Sequence, residues 1–174
     1  HYVYSSNINT VTDDHLGARP QDWSDVIGAE RAPGDFNQRH RLVIQGSTRL
    51  RFGWQLSAFS TLASALPVNP LTGVDNNGDT LLTDRPAGFA RNAFRGRPQR
   101  SLDLSLAKQR ALSDKFTLEF RADAFNVFNN QNFHAFNNIY GNAEAPRASF
   151  LAPLGGVANA DPARQFTFGI KLLY

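Results

Sequence analysis

The feature that most limits what this chain can become is the alternation along its final ten residues, Gln165 to Tyr174. Phe166, Phe168, Ile170, Leu172 and Tyr174 fall on one face of an extended strand, and Gln165, Thr167, Gly169 and Lys171 on the other, with Leu173 the one apolar exception. Successive side chains of a strand point to opposite faces, so the pattern reads as one oily face and one wet face. A soluble strand can do the same by packing its oily side on a core, so the rest of the chain has to decide.

The same rhythm recurs. Strands are predicted at about 1–8, 40–50, 54–66, 101–110, 116–128 and 164–174, and nothing asks for a helix longer than a turn or two. Leu42 and Ile44 oppose Arg41 and Gln45; Trp54, Leu56 and Ala58 oppose Gln55 and Ser57; Leu102, Leu104 and Leu106 oppose Ser101, Asp103 and Ser105. Phe116, Leu118, Phe120 and Ala122 oppose Thr117, Glu119, Arg121 and Asp123. Lys108 and Arg110 share the leucine face but sit at a strand end, where long basic side chains reach an interface. Connections alternate long, short, long, short, long. Short connections require antiparallel neighbours. Short turns at one end and long loops at the other are the asymmetry of outer-membrane barrels, with short periplasmic turns and long external loops. Strands of about 10 residues suit a tilted membrane crossing, whereas soluble strands average about 5–6. The expected fold is therefore all-β, an antiparallel up-and-down meander of about six long strands forming part of a transmembrane β-barrel in the cell outer membrane, with outer-membrane lipid as its surroundings. Strand pattern alone serves equally a soluble sheet whose charged face meets water.

Composition narrows the chemistry. There is no cysteine, which excludes a disulfide framework and thiolate sites. The 18 basic residues are scattered and give a net charge of only +3, so no nucleic-acid stripe is expected. No run of about 18 apolar residues marks a transmembrane helix. The chain opens on His1 rather than Met and is read as a processed or excised piece of something longer.

Three stretches resemble the closing part of TonB-dependent outer-membrane receptors, nearest to their Oar-like group. They are Asp35-Phe-Asn-Gln-Arg-His-Arg-Leu-Val43; Asp75-Asn-Asn-Gly-Asp79 with Asp84-Arg-Pro-Ala-Gly88; and Phe120-Arg-Ala-Asp-Ala-Phe-Asn-Val-Phe-Asn129 followed by Asn132-Phe133. The chain's end resembles the insertion signal of outer-membrane barrels through Thr167, Gly169, Leu172 and Tyr174, which implies the barrel-assembly machinery as a partner. The resemblance implies uptake or binding of an external ligand through a 22-stranded barrel that encloses a plug. Neither plug nor energy-coupling box is found in these residues, and six strands do not close a membrane barrel. The missing strands, and the plug, are expected from elsewhere in the same protein or, for the strands, from neighbouring copies.

Asp75, Asn77 and Asp79 have the spacing of a calcium loop's first oxygen ligands, but Thr80 and Pro86 stand where the loop needs glycine and glutamate. An EF-hand is excluded, and a looser calcium site with Asp84 is the one cofactor candidate; otherwise an Asx-rich turn accounts for the residues. Asp13, Asp14 and His15 form a further metal-capable cluster. Phe133, Phe136 and Tyr140 are the candidate ligand-facing loop aromatics, while Phe125 and Phe128 are expected in the interface girdle. No catalytic motif is present, and an enzyme is not expected. Two alternatives remain at this point: an extracellular structural subunit assembling by strand-edge pairing into a tube or filament, and a soluble all-β carbohydrate-binding or carbohydrate-active domain using Asp103 and Glu119.

Overall fold

The computed structural model describes residues 1–10, 28, 30–156 and 159–174. In chain order the strands are β1 (Tyr2–Tyr4), β2 (Ile8–Asn9), β3 (Ala32–Pro33), β4 (His40–Arg49), β5 (Trp54–Ala63), β6 (Pro67–Val68), β7 (Phe94–Arg95), β8 (Gln99–Ala111), β9 (Thr117–Phe125) and β10 (Gln165–Leu173). Six of them form one antiparallel sheet in the order β1-β4-β5-β8-β9-β10, an up-and-down meander that is not closed on itself. The chain is all-β. No α-helix occurs among the described residues.

Register explains why the sequence reads so simply. Tyr2 pairs Leu42, Leu42 pairs Leu62, Leu62 pairs Arg100, Leu104 pairs Ala124 and Ala124 pairs Phe166. Every partner has the same parity. Even-numbered residues of the whole sheet therefore share one face and odd-numbered residues the other. A slip of one residue in any ladder would bring the two faces together on one side.

The even face is apolar and uncovered. Phe168 is 79% exposed and Ile170 73%, and Ile44, Phe120 and Phe166 are exposed as well. The buried apolar side chains among the described residues are Ala32, Ala63, Pro70, Pro86 and Tyr140, none of them on the even face of the six-stranded sheet. No second layer of the described chain packs there. A soluble monomer rarely leaves an apolar patch larger than a few hundred Å² open to water. Hydrocarbon is the medium that suits it, and each large side chain taken out of water on that face stabilises the arrangement by roughly 1.5–3 kcal/mol.

Turn chemistry fixes the closed end. Between β4 and β5, Phe52 and Gly53 both take positive φ, 62° and 78°, the pattern of a type I′ turn whose twist matches the flanking strands. Leu112 donates its N–H to the Phe116 carbonyl at 2.8 Å to close the turn between β8 and β9.

Strand ends depart from the periodicity. β9 stops at Phe125 instead of running to 128, because Asn126 adopts φ 49°, a left-handed conformation that asparagine tolerates. β5 stops at Ala63 instead of Leu66. Within the opening stretch only Tyr2–Tyr4 joins the sheet; Ile8–Asn9 pairs with Ala32–Pro33 in a small ladder of the first loop.

Candidate functional site

All described parts of the three long loops lock into one cap beyond the open end of the sheet. Its centre is Arg91, fully buried. Its guanidinium donates to the carbonyls of Asn9 (2.7 Å), Glu30 (3.2 Å) and Ala32 (3.3 Å) and to the side-chain oxygen of Asn9. Burial lowers the Arg91 pKa, while the charges of Asp35 and Glu30 act to raise it. Five donors in a planar fork let arginine satisfy several carbonyls at once, which a lysine cannot do in the same geometry. Arg85 adds a bidentate pair to Glu30, with Nη1 3.1 Å from Oε2. Asn92 donates to Pro33 O at 2.7 Å and to Asp35 Oδ1 at 2.6 Å, and Arg95 to Asn37 O at 2.8 Å. The first loop is thereby bolted to the second.

The second loop is bolted to the third by backbone and aromatic contacts. Leu71 donates to Asn138 O, and Tyr140 donates back to Leu71 O. Asn76 and Asn142 exchange two side-chain hydrogen bonds, at 3.2 and 3.1 Å. Beneath them Phe89, Phe94, Tyr140 and Phe150 pack with ring centres 4.9 to 6.1 Å apart, Phe150 edge-on to Phe94 and Tyr140 and the other pairs tilted. Asparagines then fasten the third loop to the strands. Asn132 both accepts from Arg100 N–H and donates to Arg100 O, as a neighbouring strand would. Asn126 donates to Asn130 O and Pro162 O and accepts from Asn130 N–H.

The odd face below the cap is polar and concave. A cavity of about 530 Å³ is lined by Gln45, Ser57, Phe59, Asp103, Arg121, Asp123 and Phe125 among others. Arg121 pairs with Asp123 at 3.0 Å. A second cavity of about 290 Å³ shares Asp103 and Phe125 and continues to Asn132 and Asp161 of the third loop. Polar groups and two rings thus run from the odd face of the sheet up to the cap. Phe59 was not singled out from the sequence, and Phe125 was expected in the interface girdle; both are apolar residues at odd positions, which is the signal that could have found them.

Several expected site residues take other roles. Tyr140 is 5% exposed, inside the aromatic cluster with its hydroxyl on Glu144 O; it does not face a ligand. Phe136 packs flat on Gly96, where even a Cβ would collide with its ring. Phe133 is half-buried beneath the Arg97 guanidinium, 5.9 Å from the ring centre. Phe125 points to the odd, interior face and not to the lipid girdle, because its partner Gln165 is odd; Phe128 is exposed. Asp103 and Glu119 share the odd face, but Asp103 lies level with Phe59 and Glu119 with Gln109, six residues along β8. That is roughly 20 Å at the strand rise, beyond the ~5–10 Å that a glycosidase pair needs.

The 75–79 loop closes on itself. Asp75 accepts the N–H groups of Gly78, Asp79 and Thr80, Asn77 accepts that of Asp79, and Asp79 that of Leu81. These backbone donors, Thr80 foremost, hold the Asp75 carboxyl below its ordinary pKa. Asp84 is buried against the same loop, accepting the N–H groups of Asn76 at 2.5 Å and Asn77 at 3.1 Å through one carboxylate oxygen. Among the described residues no three His, Asp or Glu side chains gather to hold a metal. Asp13, Asp14 and His15 lie outside the described residues. Thr167, Gly169 and Leu172 lie along β10, with Tyr174 fully exposed beyond its end. No described atom would touch a Cβ at Gly169, so packing within the sheet does not demand glycine there.

A family model described as an outer membrane beta barrel domain matches residues 87–166, from the end of the second long loop through β8 and β9 to the first residues of β10. No curated protein and no solved structure matches the chain. The chain is an outer-membrane β-barrel segment, and its place is the cell outer membrane. The closed end with its short turns faces the periplasm and the cap faces outward.

Proposed function

We propose that this segment is part of the wall and outer vestibule of a TonB-dependent receptor, taking part in the binding or uptake of an external ligand. The observation that carries the reading is the interlocking of the three outer loops, the first with the second at Arg91 and the second with the third at Leu71, Asn76 and Tyr140. A preformed rigid rim lowers the ordering cost of ligand binding, and the polar cavities under it continue inward along Asp103 and Phe125. The three motif likenesses support the same reading, since their residues Asp35, Asn37, Asp84, Arg85, Asn126 and Asn132 are the ones that build the rim. In this reading the segment is a passive scaffold with no catalytic residue, and a plug and further strands complete it. The exposed terminal residues of β10 engage the barrel-assembly machinery. The calcium candidate in this reading is the loop of Asp75, Asn77 and Asp79.

The test is the mass of the polypeptide recovered from outer membranes, together with capture by the periplasmic energy-coupling protein. A mass far above 19.3 kDa with specific capture is expected. A 19.3 kDa monomer without capture would defeat the reading. The edges of β1 and β10, which no described strand covers, favour one second reading, in which copies of a short chain pair edge to edge. A 19.3 kDa polypeptide recovered only as a large, regular oligomer would select it.

A further inference from the structure

The lipid-facing side carries a charge pattern that its role as barrel wall does not require. Along the five long strands no even-numbered position holds a carboxylate, while the odd face holds Asp103, Glu119 and Asp123. The basic even positions are His40 and Arg100 at the cap end and Lys108 and Arg110 at the periplasmic end, each within four residues of a strand terminus. Cations at a membrane interface are tolerated, and near anionic headgroups they are favoured.

At the cap end these groups frame a groove of about 520 Å³. Its floor is one straight row across four strands, Tyr2, Leu42, Leu62 and Arg100, in register. Three strand spacings make it roughly 14 Å wide. Above one end of the row the Tyr2 hydroxyl meets His40 Nδ1 at 2.7 Å, with the Tyr4 ring tilted on the same imidazole. At the other end the Arg100 backbone is pinned by Asn132, and its exposed guanidinium has no hydrogen-bond or ion-pair partner among the described residues. Leu62 is exposed on the floor between them.

We infer that this groove binds a phosphorylated, multiply acylated glycolipid of the outer leaflet. Its phosphates sit on Arg100 and on the Tyr2–His40 pair, and its acyl chains run over Leu42 and Leu62 toward the periplasm. An ordinary phospholipid carries a single phosphate and meets only one of the two polar ends. The inference rests on the outer-membrane location and the cap-outward orientation, and it does not depend on what passes through the lumen.

The experiment titrates the intact polypeptide, folded in neutral detergent, with bisphosphorylated lipid A, its dephosphorylated form and phosphatidylglycerol, and reads bound lipid by native mass spectrometry. Lipid A should bind at least several-fold more tightly than either of the others. Arg100→Gln should weaken it about tenfold, the loss of one charge-assisted contact, whereas Arg100→Lys should weaken it less. Leu62→Trp, which fills the floor, should also displace it. Heat-modifiable mobility in gels checks that each variant is folded, and a variant that fails it is replaced by the comparison of lipids on the unaltered protein. Equal binding of lipid A and its dephosphorylated form, or of phosphatidylglycerol and lipid A, would overturn the inference.

Discussion

Arg91 holds together segments that lie about sixty and eighty residues away in sequence, Glu30 and Ala32 on one side and Asn9 on the other. Removing a buried charge's hydrogen-bonding partners is costly, because the remaining polar groups are left dry. Arg91→Met should therefore destabilise the cap by roughly 3–5 kcal/mol, read as faster amide exchange and proteolysis in 30–39 and 64–98. The strands should keep their protection. Asp75 makes a different prediction. Its pKa is lowered by backbone donors, so its contribution is fully present above the ordinary aspartate value of 3.8 and declines as pH falls from there through the lowered value. The amide shifts of Gly78 and Thr80 should hold steady from neutral pH to about 4 and move below it, and Asp75→Asn should abolish that titration. The role of Asp75 was readable as an Asx-rich turn, because its partners are its neighbours in sequence; that of Arg91 was not. Arginine on a loop reads as solvated, and the carbonyls that bury this one become visible only in three dimensions.

At the scale of the strand, the sequence was far more open to reading. Alternation located β4, β5, β8, β9 and β10 to within a few residues, because a two-sided environment writes itself onto consecutive residues. It failed at their outer ends, where Asn126 turns the backbone into the left-handed region and the cap takes over. It also missed the small ladders β2-β3 and β6-β7, which are too short to show a period and contain Pro33 and Pro67. The aromatic loop residues were visible as a cluster, but Tyr140 and Phe136 are there to pack the cap. Parity yields a paired prediction. Leu104→Arg, in the middle of β8, should cost about 2–4 kcal/mol in a folding titration into bilayers, while Ser105→Arg on the opposite face should cost far less. Similar losses for both would break the two-face assignment. The turn after β4 offers a gain: Phe52 is a bulky residue held at φ 62°, so Phe52→Asn should stabilise the hairpin by roughly 1 kcal/mol.

For the molecule as a whole, the structure divides into two regions held by different forces. The wall is a single sheet with no core of its own, stabilised by backbone ladders and by the medium on its even side. The cap is held by buried polar groups and one aromatic cluster. Heating or mild detergent should consequently loosen the two separately, the cap first. At the sheet's margins, β1 and β10 each leave one row of backbone groups without a strand partner in the described chain, and in hydrocarbon such groups cost several kcal/mol each. That cost is why closure by further strands is built into the proposed assembly.

The central claim is that even-numbered side chains meet lipid and odd-numbered ones meet water. The chain has no cysteine, so single cysteines can be placed at each position from 101 to 107 and 166 to 172 and spin-labelled in the intact protein in bilayers. Relaxation by oxygen, which partitions into hydrocarbon, should peak at even positions, and relaxation by a water-soluble nickel chelate at odd ones. A profile without a period of two, or with even positions shielded from both, would contradict the account.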